Sequence, residues 1–152
     1  MQLTLVSPQN TIFQWEVIKA TVPTDIGLVT MLPWHVPMCS IVKPWILSFL
    51  PKEKTIDAFI EWTEFLFKDD EVHVSVSHWS IYVDNQSITI LVSEATSNPA
   101  SDTETLEKIK QDLERDIEEI KLRWDIDSIE KAYLSLQKIT ADLKLSRMKH
   151  VL

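Results

Sequence analysis

Glycine occurs once in this chain of 152 residues, at Gly27, and cysteine once, at Cys39. A phosphate-binding loop needs several glycines to bring its backbone against the phosphates, so a Gly-rich nucleotide loop is excluded. A lone cysteine excludes an internal disulfide framework, is compatible with a reducing compartment and reads most simply as a small buried hydrophobe. Long apolar runs are missing too. None approaches the roughly 18 residues of a membrane-spanning helix, and the opening MQLTLVSPQN has no basic stretch followed by an apolar core, so neither a span nor a standard secretory signal is expected. Positive charge is scarce, with 15 Lys and Arg against 23 Asp and Glu and a net charge of −8. Binders of nucleic acid or anionic membranes gain affinity by neutralising phosphates, so this balance favours protein or cationic partners. No serine sits in a nucleophile-elbow setting. His73 and His78, five apart on an alternating run, point to opposite faces and cannot share a metal. No catalytic constellation, metal or cofactor is expected.

What the chain does have is ordinary globular chemistry, 45% hydrophobic and 25% charged, in a length that suits one domain or a small domain with an appendage. The stretch from Val22 to Pro44 carries the only glycine and four of the seven prolines, the punctuation of a tight loop between short strands. Proline fixes φ, removes a donor and pushes its predecessor towards extended geometry. Pro33 and Pro37 therefore bracket a rigid, exposed connection with Trp34 and His35 at its tip. Before it, Leu3 to Val6 and Ile12 to Val22 read as strands around the turn Ser7-Pro8-Gln9-Asn10. After it, Ser40 to Val42 and Trp45 to Phe49 read as strands split by Pro44.

Residues 51 to 70 are ambiguous. Ile56, Phe59, Ile60, Thr63, Leu66 and Phe67 recur at near-helical spacing and favour a short amphipathic helix, while Ala58, Ile60 and Trp62 alternate as in a strand. Glu71 to Ser80 alternates clearly, and Ile81 to Val83, the turn Asp84 to Ser87, and Ile88 to Val92 spell a hairpin. Trp15, Trp45 and Trp79 lie within strand patterns and are expected in the core or at an interface, leaving Trp34 as the exposed one.

Behind the linker Ser97-Asn98-Pro99-Ala100 the chain changes character. Ser101 followed by Glu104 has the spacing of a capping box. Leu106, Ile109, Leu113, Ile117, Ile120 and Trp124 then form one helical stripe, and Ile129, Tyr133, Leu136, Ile139 and Leu143 a second. Between them Asp125 or Asp127 can cap the second helix. Each stripe needs a partner, so two antiparallel helices satisfy one another. The break holds neither glycine nor proline, so a small free-energy difference separates a folded hairpin from one extended rod. The acids Glu107, Asp112, Glu114, Asp116, Glu118 and Glu119 form a solvated face. The cations Lys131, Lys138, Lys144 and Arg147 of the second helix either do the same or meet acidic surface on a partner.

Val22-Pro23, Gly27, Met31-Leu32-Pro33, His35, Pro37 and Lys43-Pro44, read without a gap, resemble the N-terminal signature L-P-G-x-E-G-E-L-G-I-L-P-G-H-A-P followed by L-K-P-G. That signature is typical of the epsilon subunit of bacterial and chloroplast F-type ATP synthases. Val6-Ser7-Pro8, Phe13 and Glu16-Val17 resemble another of its patterns, as does the run Ile88 to Ala95. Thr24, Thr30, Trp34 and Trp45 stand where the family has further glycines, and Ile26 and Leu28 where it has acids. In the family, residues 51 to 70 correspond to a brief hairpin, so about 15 of them read as an insertion.

The resemblance implies an antiparallel β-sandwich over residues 1 to 96 followed by an α-helical hairpin over 101 to 150. It implies a non-catalytic rotor subunit that couples c-ring rotation to the catalytic head through gamma and restrains ATP hydrolysis by extending its helices. The implied partners are gamma, the c-subunit ring and the catalytic alpha and beta subunits. The implied location is peripheral, at the cytoplasmic face of a bacterial inner membrane or the stromal face of a thylakoid. Thr30, Met31, Trp34, His35 and Met38 become candidates for the c-ring and gamma interface. Asp127, Lys131, Lys138, Lys144 and Arg147 become candidates on the regulatory helices. Some epsilon subunits bind ATP through I-D-x-x-R-A with a further Arg downstream. Here Ile126-Asp127 is followed by Ser128-Ile129-Glu130-Lys131-Ala132, one position longer and without the Arg, so tight ATP binding is not expected. Two other classes fit parts of the sequence: a carbohydrate-type binding sandwich using exposed tryptophans, and a coiled-coil adaptor using residues 101 to 150 alone.

Overall fold

The computed structural model describes residues 1–53, 66–99 and 102–150. In order, the strands are β1 (Gln2–Val6), β2 (Thr11–Thr24), β3 (Gly27–Met31), β4 (Met38–Val42), β5 (Trp45–Pro51), β6 (Leu66–Lys68), β7 (Glu71–Val76), β8 (Trp79–Val83), β9 (Ser87–Val92) and β10 (Ala95–Thr96). Two helices follow, α1 (Thr103–Leu122) and α2 (Ile126–His150). The strands form an antiparallel sandwich with one parallel pairing, β1 beside β9. Strand β2 belongs to both layers. Its first half pairs with β1, next to β9, β8 and β4, while its second half pairs with β3 and β5, next to β7.

Alternation along the strands decides what lies between the layers. Leu3, Leu5, Phe13, Val17, Leu47, Phe49, Val72, Val74, Val76, Ile81, Val83, Ile88 and Ile90 are all buried in one apolar cluster. The rings of Phe13, Trp15 and Phe49 meet at its centre with centroids 5.0 to 5.5 Å apart, within the range of favourable aromatic contacts.

The turns follow local chemistry. Gly27, with φ at 117°, closes the two-residue loop between β2 and β3, where no other residue type adopts the backbone cheaply. Its neighbours anchor the loop: Thr24 Oγ1 donates to Gly27 O at 2.7 Å, and Ser40 Oγ donates to Asp25 Oδ1 at 2.6 Å. The run Glu71 to Ser80, read as one strand, is two. The chain bends at Ser77-His78, so β7 pairs with β5 and β8 with β4 in the other layer. Of the helix considered over residues 51 to 70, the stretch 54–65 lies outside the described residues. Its far end is strand: Leu66 to Lys68 pairs with β7 across Asp69-Asp70, whose φ values of 53° and 67° are those of a type I′ hairpin turn.

In the helices, the N-cap of α1 is Asp102, whose carboxylate accepts from Thr105 N at 2.8 Å; Ser101 lies outside the described residues. Asp125 caps α2 through Ser128, leaving Asp127 exposed in the first turn. Both capping carboxylates are held below their ordinary pKa, first by the side chains of Thr105 and Ser128 respectively and then by backbone N–H groups of the same residues. The two helices pack antiparallel, with Leu106, Ile117 and Leu143 buried. Trp124 departs from the expected stripe. It takes φ of 56° just beyond the end of α1, and its ring is 86% exposed.

Because Phe49 is fully buried among two other rings, Phe49→Ala is expected to cost about 3–5 kcal/mol of stability. Urea unfolding followed by circular dichroism measures it, and a loss below about 1 kcal/mol would contradict this account of the core.

Candidate functional site

Two regions offer more than packing. The first is the turn after β3. Pro33 and Trp34 occupy its central positions, His35 N donates to Leu32 O at 3.1 Å, and Trp34 has φ of 70°. Proline at the first central position and a left-handed residue at the second are the marks of a type II turn, whose second position normally takes glycine. Here a tryptophan occupies it. Trp34 N donates to Asn85 O at 3.0 Å, tying the turn to the β8–β9 connection, and the indole is 74% exposed. Leu32 and Val36 are exposed beside it in sequence, so three large apolar side chains face solvent within five residues. Next to the indole lies an open cavity of about 430 Å³, lined by Met1, Gln2, Glu16, Pro33, Trp34, Asn85 and Gln86. Glu16 is bonded to Lys52 at 2.8 Å, which holds its carboxyl below the ordinary range.

The candidate interface residues do not share one role. Thr30 is exposed, its hydroxyl 2.9 Å from that of Thr21. His35 is half-buried, with Nδ1 2.8 Å from Val36 O. Met38 is half-buried against the core. Met31 is fully buried and is a core residue, unavailable as a surface contact, because β3 turns that position inward opposite Ala20. Cys39 is exposed rather than buried, since it lies on the outward phase of β4; Trp79 is exposed as well, at the first position of β8, although it shares the phase of buried Ile81 and Val83.

The second region is the seam where α2 lies on the outer face of β5 and β7. Its apolar part is small: Ile46, Ala141 and Leu145 are buried, with Trp45 and Met148 against them. The rest is polar. Lys138, expected either on a solvated face or against a partner's acidic surface, is buried within this chain. Its ammonium donates to Asp142 at 2.7 Å and to Thr96 Oγ1 at 3.1 Å, with Glu94 at 3.9 Å. Ser75, Ser77, Ser97 and Ser146 are buried as well. Ser146 Oγ is 3.1 Å from Thr103 Oγ1, and Ser77 Oγ 2.8 Å from Ser93 Oγ, but Ser75 Oγ and Ser97 Oγ have no hydrogen-bond partner among the described residues. A buried hydroxyl without a partner costs on the order of 1–3 kcal/mol. Undocking would hydrate Ser75, which lies opposite Ile46 on the face that α2 covers.

Among the other helix candidates, Lys131 is exposed, Arg147 pairs with Glu107 at 2.8 Å, and Lys144 lies 4.5 Å above the ring of Trp45. Asp142, Ala141 and Leu145 are absent from the sequence reading, although two signals pointed to them. Lys138 and Asp142 stand in the i,i+4 relation of a helical ion pair. Leu134, Ala141, Leu145 and Met148 form a second apolar stripe on the same helix, beside the one that faces α1. Among the described residues no group of His, Cys, Asp and Glu is arranged to hold a metal, and no helix is long and apolar enough to cross a membrane.

Comparison with known proteins agrees with this architecture. The ATP synthase epsilon chain of Rhodospirillum centenum is 28% identical, over 95% of this chain and 89% of its own length. That of Neisseria meningitidis serogroup C is also 28% identical, over 95% of this chain and 91% of its own. Among solved structures, a chain of the Euglena gracilis mitochondrial ATP synthase, determined as its OSCP, F1 and c-ring portion, superposes with a TM-score of 0.69 at 18% identity. The match covers 95% of this chain and 79% of that one, and shows a shared fold. Residues 1–80 match the family model described as the ATP synthase delta/epsilon chain, beta-sandwich domain. The match spans more than half of the sequence, and this protein belongs to the ATP synthase delta/epsilon chain family.

Proposed function

We propose that this chain is a non-catalytic rotor subunit of a proton-translocating ATP synthase, peripheral to the membrane through its protein partners. In this reading the sandwich, residues 1 to 96, transmits rotation between the c ring and the catalytic head by way of gamma. The helices restrain wasteful ATP hydrolysis by leaving the sandwich and extending along gamma towards the alpha and beta subunits. The observation that carries the regulatory half is the seam. Three buried apolar side chains and the hydrogen bonds of Lys138 to Thr96 and Lys149 to Asn98 hold the hairpin, against the cost of burying the unpartnered Ser75 hydroxyl, so it is docked with little to spare. The turn at Trp124 adds to this, because a left-handed non-glycine residue costs about 1 kcal/mol that a continuous helix would recover. Two states separated by a small difference are what a partner of modest differential affinity can switch. For the rotor half, the support is the exposed apolar turn on this chain's sandwich, together with its similarity to relatives that are named as epsilon chains.

Three results test this reading. Trp34→Gly removes the exposed indole and relaxes the turn, so the isolated chain should melt no earlier than wild type, while co-purification of gamma and the c ring from solubilised membranes falls severalfold. Unchanged recovery would remove the turn from the interface. At the seam two substitutions have opposite signs. Leu145→Ala should loosen docking by about 2–4 kcal/mol and lower the ATP hydrolysis rate of the assembled enzyme, whereas Ser75→Ala should tighten docking by about 1 kcal/mol and raise it. Equal effects of both on hydrolysis would sink the switch. Trp124→Gly should favour the folded hairpin about fivefold and raise hydrolysis in the same assay.

A further inference from the structure

Beside the seam, α1, α2 and β5 enclose an open cavity of about 400 Å³ that the proposed function does not use. Its floor is apolar, made of Trp45 from β5 and Leu143 and Met148 from α2. Its rim carries three cations, Lys110 from α1 and Lys144 and Arg147 from α2. In a protein of net charge −8 this concentration of positive charge is unusual. Two of the cations meet carboxylates, Arg147 with Glu107 at 2.8 Å and Lys110 with Glu114 at 3.9 Å, and all four side chains are between a third and two-thirds exposed. Such exposed pairs contribute about 0–1 kcal/mol and yield readily to a competing anion. The ammonium of Lys144 has no carboxylate against it among the described contacts; it covers the indole of Trp45 at 4.5 Å.

From this arrangement we propose a binding site for a small amphiphilic anion: an apolar body on the Trp45, Leu143 and Met148 floor and a phosphate or carboxylate head among Lys110, Lys144 and Arg147. Lys144 swings from the indole to the head group, exchanging a cation–π contact for a charge-assisted hydrogen bond, which is the stronger of the two. The apolar body then takes the uncovered ring. The lining favours an apolar body over a nucleobase. It contains no amide or carboxylate side chain to read a base edge, and its one hydroxyl, Thr140 Oγ1, already donates to Leu136 O at 2.8 Å. Because the three elements meet only when the hairpin is docked, an occupant binds the docked form alone and stabilises it by mass action.

The test titrates octyl phosphate, below its micellar concentration, into the full-length chain, with 1-octanol and ATP as comparison ligands. Binding is followed by calorimetry and by the Trp45 indole N–H signal in the nitrogen–proton correlation spectrum. The expected result is saturable one-to-one binding of octyl phosphate that shifts the Trp45 signal. The double variant Lys144→Glu with Arg147→Glu should weaken it about tenfold or more. Lys108→Glu with Arg123→Glu makes the same change in net charge on exposed positions away from the cavity and should leave it within about twofold. A thermal melt checks that both variants are folded. Equal binding of 1-octanol would reduce the site to apolar adsorption. Tighter binding of ATP would replace the proposed ligand class. Equal weakening by the two double variants, a shift confined to Trp34, or no saturable binding would each overturn the proposal.

Discussion

The sandwich depends on one strand being long enough to belong to both of its layers. From Thr11 to Thr24, β2 runs unbroken through 14 residues, pairing with β1 at its start, β5 in its middle and β3 towards its end. A shift of one residue in its register would turn Phe13, Val17, Ala20 and Val22 out of the core together. The registers of both layers are therefore set by the same backbone. The irregularity in its pairing between Val17 and Lys19 lies at the crossing between layers, where added twist is needed; a second lies at its start, opposite Val6. This makes the sandwich stiff.

The sandwich was legible because alternation of apolar residues is a local signal. β1, β2, β4, β5, the β8–β9 hairpin and both helices can be read from neighbours a few positions apart. What escaped reading was long-range or conformational. The bend at Ser77-His78 is marked in the sequence only by a shift of the apolar phase, from Val72, Val74 and Val76 to Ile81 and Val83, and the pairing of β7 and β8 with different partners is what reveals it. Met31 reads as an interface candidate through the family resemblance, but its phase on β3 buries it. Lys138 reads as solvated or as facing a partner's acids; its burial follows from Asp142 and Thr96, one of them 42 residues away. At the candidate site, the exposed Trp34 and the helical hairpin were readable from sequence. The seam and the cavity at Trp45 were not, since both need three elements brought together.

Scarcity of glycine has its own structural mark. Left-handed backbone is required at five described positions, and glycine fills one of them. Asp69 and Asp70 suit theirs, since aspartate tolerates this region better than most residues. Trp34 and Trp124 do not, and both are largely exposed, so neither is compensated by burial. Strained residues of this kind persist where surrounding structure holds them and tend to mark places of interaction or change. One lies at the apolar turn of the sandwich, the other at the bend between the helices.

The make-up of the seam also sets its response to temperature. Heat capacity rises with exposed apolar area and falls with exposed polar area, at about +0.45 and −0.26 cal/K/mol/Å². Release of α2 would expose Ile46, Ala141 and Leu145 together with the hydroxyls of Ser75 and Ser146 and the Lys138–Asp142 pair. The polar contribution offsets part of the apolar one. Docking of the helices is thereby less steeply dependent on temperature, for the area it exposes, than the unfolding of the sandwich around its apolar cluster. A change of temperature would alter the stability of the sandwich more than the docking of the helices.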